Sequence, residues 1–232
     1  DYVVNPGHAA IATLAALHFR NRTGKGQLIE VAQFESSVNV VSVAILDYTT
    51  NGRVQERQGN RLPYACPHGT YRCLGDDRWV AIAVFNDQQW QGFCRAVGEE
   101  WTRDERFSTF LGRKAHEDEL DRLIESWTSQ REGEEVMERL QAEGVPAGVV
   151  QSAADVLDRD PHLRARGYYV YLDHPEAGRT AYDGSGFRLH RTPGGPSMPA
   201  PLLGQHTYYV CKEVLALSDE EIADLTAEGV LQ

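Results

Sequence analysis

Residues 1–33 read DYVVNPGHAAIATLAALHFRNRTGKGQLIEVAQ, and this stretch decides the fold class. Asn5-Pro6 predicts a helix start, because a proline in a first turn gives up only an N–H that has no partner there. From Gly7 to Arg20 the run is alanine-rich and apolar on nearly every side (Ala9, Ala10, Ile11, Leu14, Ala15, Leu17). Such a pattern predicts a buried helix with close neighbours. Thr23-Gly24-Lys25-Gly26 predicts a turn, residues 27–32 alternate as a short strand, and residues 33–50 read as a second long apolar helix. Helix, turn, strand, helix is the order of an α/β chain.

Moving outward, residues 51–69 (NGRVQERQGNRLPYACPHG) change to polar loop with Gly and Pro, a crossing between domains. A hairpin follows, with residues 69–74 and 78–85 flanking the turn signal Gly75-Asp76-Asp77. Asn86 is placed to cap a helix carrying Trp90, Phe93, Cys94 and Val97 at helical spacing. Two amphipathic helices are predicted over residues 113–129 and 132–142, with Gly144-Val145-Pro146 ending the second. Residues 58–160 therefore read as a small α+β domain. Beyond it, residues 152–158 predict a short helix and 168–173 a strand. His174-Pro175-Glu176-Ala177-Gly178 predicts a turn, and further strand follows to His190. Residues 191–203 form a Pro/Gly connector, 203–216 a helix, and Ser218-x-x-Glu221 a capping box that opens a last helix.

The chain has 232 residues, 41% hydrophobic and 25% charged, with net charge −11 and mean hydropathy −0.45. This composition is that of a globular protein. The acidic balance argues against a phosphate-backbone binder, which needs a basic face. Residues 99–143 hold fourteen acidic and seven basic residues, so most of the excess lies in one helical stretch, read as a solvated, ion-paired surface. No segment has the roughly 18 uninterrupted apolar residues of a membrane helix. DYVVNPGHAA lacks the basic and apolar regions of a signal peptide. Cys66, Cys73, Cys94 and Cys211 fit reduced thiols of a cytoplasmic protein.

Most candidate motifs dissolve on inspection. Thr23-Gly24-Lys25-Gly26-Gln27 leads into a strand, whereas a phosphate loop leads from strand into helix. Cys66, His68 and Cys73 lack metal-ligand spacing, and Gly184-Ser185-Gly186 is no nucleophile elbow, since Asp183 stands where glycine would be needed. Asp1 differs in kind. It precedes the first turn of an apolar helix, where free backbone donors favour a developing negative charge. A carboxylate there has the chemistry to attack an acyl group and split one transfer into two steps.

The segment HAAIATLAALHFRNRTGKGQLIEVAQ (8–33) resembles the family III CoA-transferases, the group of formyl-CoA transferase and the carnitine CoA-transferases. The similarity continues through GDDRWVAIAV (75–84), EGVPAGVVQS (143–152), DPHLRARG (160–167), HPEAG (174–178), APLLGQHT (200–207) and LSDEEIADLTAEGV (217–230). The resemblance implies an α/β fold in which part of a doubly wound, Rossmann-like large domain accompanies a smaller α+β domain, in subunits that interlock as a homodimer. Residues 1–57 would end the first stretch of the large CoA-binding domain, 58–167 form the small domain, and 168–232 return to the large domain. Members are nearly twice as long, so the half that supplies most of the CoA pocket would lie outside these residues, in the same or a companion chain. An isolated 1–232 chain should accordingly expose an apolar patch along Ala9 to Leu17.

The resemblance further implies a cytoplasmic enzyme moving coenzyme A between carboxylic acids, with acyl-CoA and a free acid as substrates and no permanently bound cofactor or metal. Ungapped alignment with several members puts the family's nucleophilic aspartate on Asp1; in others the register differs by one. Asp1 would attack the thioester to give a mixed anhydride, CoA thiolate would convert this to an aspartyl-CoA thioester, and the acceptor acid would leave as the new acyl-CoA. Where formyl-CoA transferase has a glycine run closing over the intermediate, this chain has LPYACPHG (62–69), which makes Cys66, Pro67, His68 and Gly69 candidate substrate-loop residues. Two alternatives stay open. One is an α-methylacyl-CoA racemase-like enzyme, against which Arg72 counts because the racemase branch carries glutamate there. The other is a non-catalytic assembly fragment.

Overall fold

In the computed structural model, which describes residues 3–231, helix α1 runs Val4–Thr23. Asn5 and Pro6 thus lie inside its first turn. Gly24 ends it at φ 75°, its N–H bonding the Arg20 carbonyl at 2.8 Å. The expected burial of this helix is corrected: of its residues only Asn5 and Ala16 are buried, and Ile11 and Leu14 are 71% and 66% exposed. No described residue covers that face, which is the open apolar patch expected of the isolated chain. Residues 27–32 lie outside any strand. A strand exists only through a ladder with a neighbour, and none of the described residues supplies one.

The long apolar helix expected over 33–50 is divided. Helix α2 (Gln33–Val38) gives way to a 3-10 turn (Asn39–Val41) before helix α3 (Ser42–Asn51). The break falls where β-branched Val38, Val40, Val41 and Val43 crowd the turn, and where the Asn39 amide donates to the Glu35 and Ser36 carbonyls at 3.4 Å each.

The hairpin forms where the sequence places it. Strands β1 (His68–Arg72) and β2 (Trp79–Ala83) pair antiparallel, Gly69 facing Ile82 and Tyr71 facing Val80. Gly75 at φ 108° and Asp77 at φ 50° take the conformations that the turn demands. Helix α4 (Asp87–Val97) begins on Asn86, whose side chain accepts from the Gln89 N–H at 2.9 Å. Two 3-10 turns lead to α5 (Phe110–Ala115) and α6 (Glu117–Thr128), which split the single helix expected over 113–129 at His116. Helix α7 (Gly133–Ala142) then turns at Gly144 into β3 (Ala147–Val150), where the Pro146 carbonyl accepts from Ala83 N–H at 3.0 Å. The inward faces of these elements meet in one core around Val80, Ile82, Phe93, Phe107, Leu120 and Leu140, all 2% exposed or less. Helix α4 lies so close to the end of α7 that a Cβ on Gly92 would stand 2.4 Å from the Glu143 carbonyl oxygen.

The chain divides into two compact units, residues 1–147 and 148–232. In the second, α8 (Ala153–Asp158) carries a capping box from Ser152 and Asp155, and α9 (Pro161–Arg166) is capped by Asp160. Strands β4 (Tyr169–His174) and β5 (Gly178–Asp183) form an antiparallel hairpin. Its turn is tied by the His174 Nδ1, which accepts from the Glu176 and Ala177 N–H groups. After the connector, a short helical turn α10 (Thr207–Tyr209) runs into a π-helical turn (Val210–Val214), shorter than the helix expected over 203–216. Helix α11 (Asp219–Ala227) starts on the Ser218–Glu221 capping box. Among the described residues no helix is long and apolar enough to cross a membrane.

Candidate active-site loop

The loop that enters β1 is held at both ends. Where it meets the sheet, Cys66 N–H donates to the Val84 carbonyl at 3.0 Å and Val84 N–H to the Pro67 carbonyl at 2.9 Å, across a cis Cys66–Pro67 bond. Behind this junction lies Arg113, 1% exposed. Its guanidinium donates to the Cys66 carbonyl at 3.0 Å, to the Phe107 carbonyl at 3.2 Å and to Asp87 at 3.3 Å, and its face rests on the Trp90 ring. A buried cation is tolerable when oriented carbonyls and an aromatic face replace its water.

The other end is fastened to α6 by charge. One Arg61 nitrogen reaches Asp118 and Asp121 at 2.6 Å each, which holds the guanidinium firmly protonated. Lys114 donates to the Leu62 carbonyl at 3.1 Å and to Glu117 at 2.7 Å. Tyr71 donates its hydroxyl to Asp121 at 2.8 Å. Burial, with Asp121 beside it, keeps that phenol neutral far above its ordinary range. Elsewhere the acidic stretch 99–143 pairs on the surface, as expected: Arg106 with Asp104 and Glu119, and Arg139 with Glu135.

Between these anchors the four loop residues divide. Cys66 and Pro67 are buried, and burial pushes the Cys66 thiol up to about 12, so it packs as a neutral group. His68 and Gly69 are half-buried and line an open groove of about 450 Å³ with Asn60, Arg61, Tyr71 and Asp121. The His68 Nδ1–H donates to the Asn60 carbonyl, and its ring stands edge-on to Phe85 at 5.9 Å. That bond leaves Nε2 without a hydrogen-bond partner among the described residues. Arg72 stacks its guanidinium over Trp79 at 5.2 Å. Asp1 lies outside the described residues. The helix after it starts at Val4, where Val3 as N-cap makes no side-chain cap hydrogen bond, and its first turn carries no acid. Among the described residues no His, Cys, Asp and Glu cluster is arranged to hold a metal.

Sequence reasoning missed Arg113 and Arg61. The contacts of Arg113 with the Cys66 carbonyl and of Arg61 with α6 span 47 to 60 positions, and no local pattern marks them. Only the sign alternation of residues 117–122 hinted that α6 offers carboxylates.

A sequence profile described as CoA-transferase family III matches residues 1–207. Over 96% of the chain, 33% of residues are identical to a succinyl-CoA–D-citramalate CoA-transferase of Chloroflexus aurantiacus, 55% of whose length is covered. The beta subunit of a succinyl-CoA–L-malate CoA-transferase from the same organism is 32% identical, with 97% of the chain and 56% of the relative covered. A formyl-CoA:oxalate CoA-transferase of Bradyrhizobium diazoefficiens is 28% identical over 97% of the chain and 57% of its own length. Among solved structures, a CAIB/BAIF family protein from Brucella suis superposes with TM-score 0.79 at 29% identity, covering 91% of the chain and 54% of that protein. The chain spans about half the length of the curated relatives it matches.

Proposed function

The chain belongs to CoA-transferase family III, and on that premise we propose that it is the part of a CoA-transferase that carries the nucleophile, Asp1. The reading rests on one observation above the others: the family match covers residues 1–207 and so includes Asp1 together with helix α1, whose first turn carries no acid.

In this reaction the Asp1 carboxylate attacks the acyl-CoA carbonyl, the C–S bond breaks, and CoA leaves as thiolate with an aspartyl–acyl anhydride formed. The thiolate attacks the aspartyl carbonyl, releasing the donor acid as carboxylate and leaving an aspartyl-CoA thioester. The acceptor carboxylate attacks that thioester, displacing the thiolate again and forming a second anhydride. Attack of the thiolate on the acceptor's acyl carbon yields the new acyl-CoA and returns Asp1 as carboxylate. No proton need be gained or lost overall. Each addition places negative charge on a carbonyl oxygen, and the leading N–H groups of α1 are donors of the right kind to receive it.

Residues 1–57 would supply helices to a doubly wound large domain, 58–167 the small domain and 168–232 the return segment. The remaining length of the relatives corresponds to a preceding half or companion subunit, in an interlocked dimer. The fastened loop would carry His68 and Gly69 toward the acyl group, its position set by Arg113 and Arg61. In the full-length protein, Asp1→Asn should lower acyl-CoA to acid transfer by at least about 10³-fold while acyl-CoA still binds. Undiminished transfer would overturn the assignment. Solvent deuterium entering Cα of the acyl group without acid exchange would instead point to racemisation.

A further inference from the structure

The Gly184-Ser185-Gly186 segment has no place in the reaction above, yet it walls a second cavity, of about 410 Å³, contained wholly within residues 166–196. Its lining includes two guanidiniums, Arg166 and Arg188, the His190 imidazole, and the apolar side chains of Val170, Phe187 and Leu189. No carboxylate lines it. That is unusual in a chain of net charge −11, and it has a sequence origin: residues 184–212 contain no Asp or Glu, although the chain has 34. The wall is fixed in place. Arg166, at the end of α9, donates to the Gly186 carbonyl at 3.2 Å, and the backbone at Gly184 passes so close to Tyr168 that a Cβ would stand 2.3 Å from the Tyr168 carbonyl oxygen. Arg188 forms no ion pair among the described residues, so its charge is available.

A volume in the range of small-molecule sites, cations without counter-charges and apolar walls together specify the chemistry of an occupant. We propose that this cavity binds a small organic dianion, with the anionic end on Arg166 and Arg188 and the apolar body against Val170, Phe187 and Leu189. The dianion is a phosphate monoester or a dicarboxylate, and its binding here does not depend on the reaction of Asp1.

Ligand-observed NMR titrations of the full-length protein with phenyl phosphate, succinate and inorganic phosphate test this. At least one organic probe should bind saturably, and which one does so identifies the phosphate or the dicarboxylate. Inorganic phosphate, which lacks an apolar body, should bind at least ten-fold more weakly than that probe. Arg188→Glu, at an exposed position, should weaken binding at least ten-fold with the circular dichroism unchanged. Gly194→Asp, where a Cβ meets nothing within 4 Å, should do the same by adding a carboxylate to the lining. Absence of saturable binding by both organic probes, binding indifferent to both substitutions, or inorganic phosphate binding as tightly as either organic probe would overturn the proposal.

Discussion

At the scale of single residues, Arg113 carries more of the candidate site than any side chain that would touch substrate. It serves two backbone carbonyls that lack other side-chain donors, one of them at Cys66 where the loop enters the sheet. Removing it leaves those carbonyls buried without a partner and opens space against Trp90. Arg113→Ala should therefore cost about 3 kcal/mol of stability, read from the urea midpoint. Arg113→Lys should recover less than half of that, because one ammonium cannot reproduce the fork of a guanidinium. A wild-type midpoint in either variant would remove Arg113 from the account. Arg61 acts differently: half-exposed and shared among Glu117, Asp118 and Asp121, it orders the loop more than it stabilises the fold.

At the scale of elements, the helix contacts discriminate between glycines. Gly92→Ala pushes a methyl into the Glu143 carbonyl and should destabilise by about 1–3 kcal/mol despite alanine's better helix propensity. Gly7→Ala, in α1, meets nothing within 4 Å and should stabilise by up to about 1 kcal/mol. Thermal unfolding of the two variants checks the contrast, and equal shifts would contradict the close approach of α4 to α7. What the sequence made legible at this scale is what a few neighbouring residues decide: the Gly75–Asp77 hairpin, the Asn86 cap, and the boxes at Ser152 and Ser218. What it did not show depends on partners. Residues 27–32 alternate like a strand but have no ladder, and the 33–50 helix breaks where valines and Asn39 outweigh apolar character. The candidate loop was legible as a loop. Its fastening by Arg113 and Arg61 was not, since those contacts join distant positions. Asp1 is proposed on family resemblance, with helix polarity as supporting chemistry.

At the scale of the molecule, the exposed apolar faces of α1 and α3 set the chain apart from an ordinary monomer surface. Ile11, Leu14, Val43 and Leu46 are each more than 60% exposed, where such residues are usually covered. The 232-residue chain on its own should bind anilinonaphthalene sulfonate strongly and self-associate. Light scattering that finds a monodisperse monomer with no dye binding would contradict this. Coverage of about half the relatives' length fits the same picture, in which a further portion would cover these faces. The central claim is that Asp1 becomes covalently acylated and then thioesterified. Its most direct test incubates the full-length protein with acyl-CoA and hydroxylamine, then sequences the Asp1 peptide by mass spectrometry. The account predicts an aspartyl hydroxamate at Asp1 that forms only when acyl-CoA is present. An unmodified Asp1 under conditions where CoA transfer proceeds would contradict it.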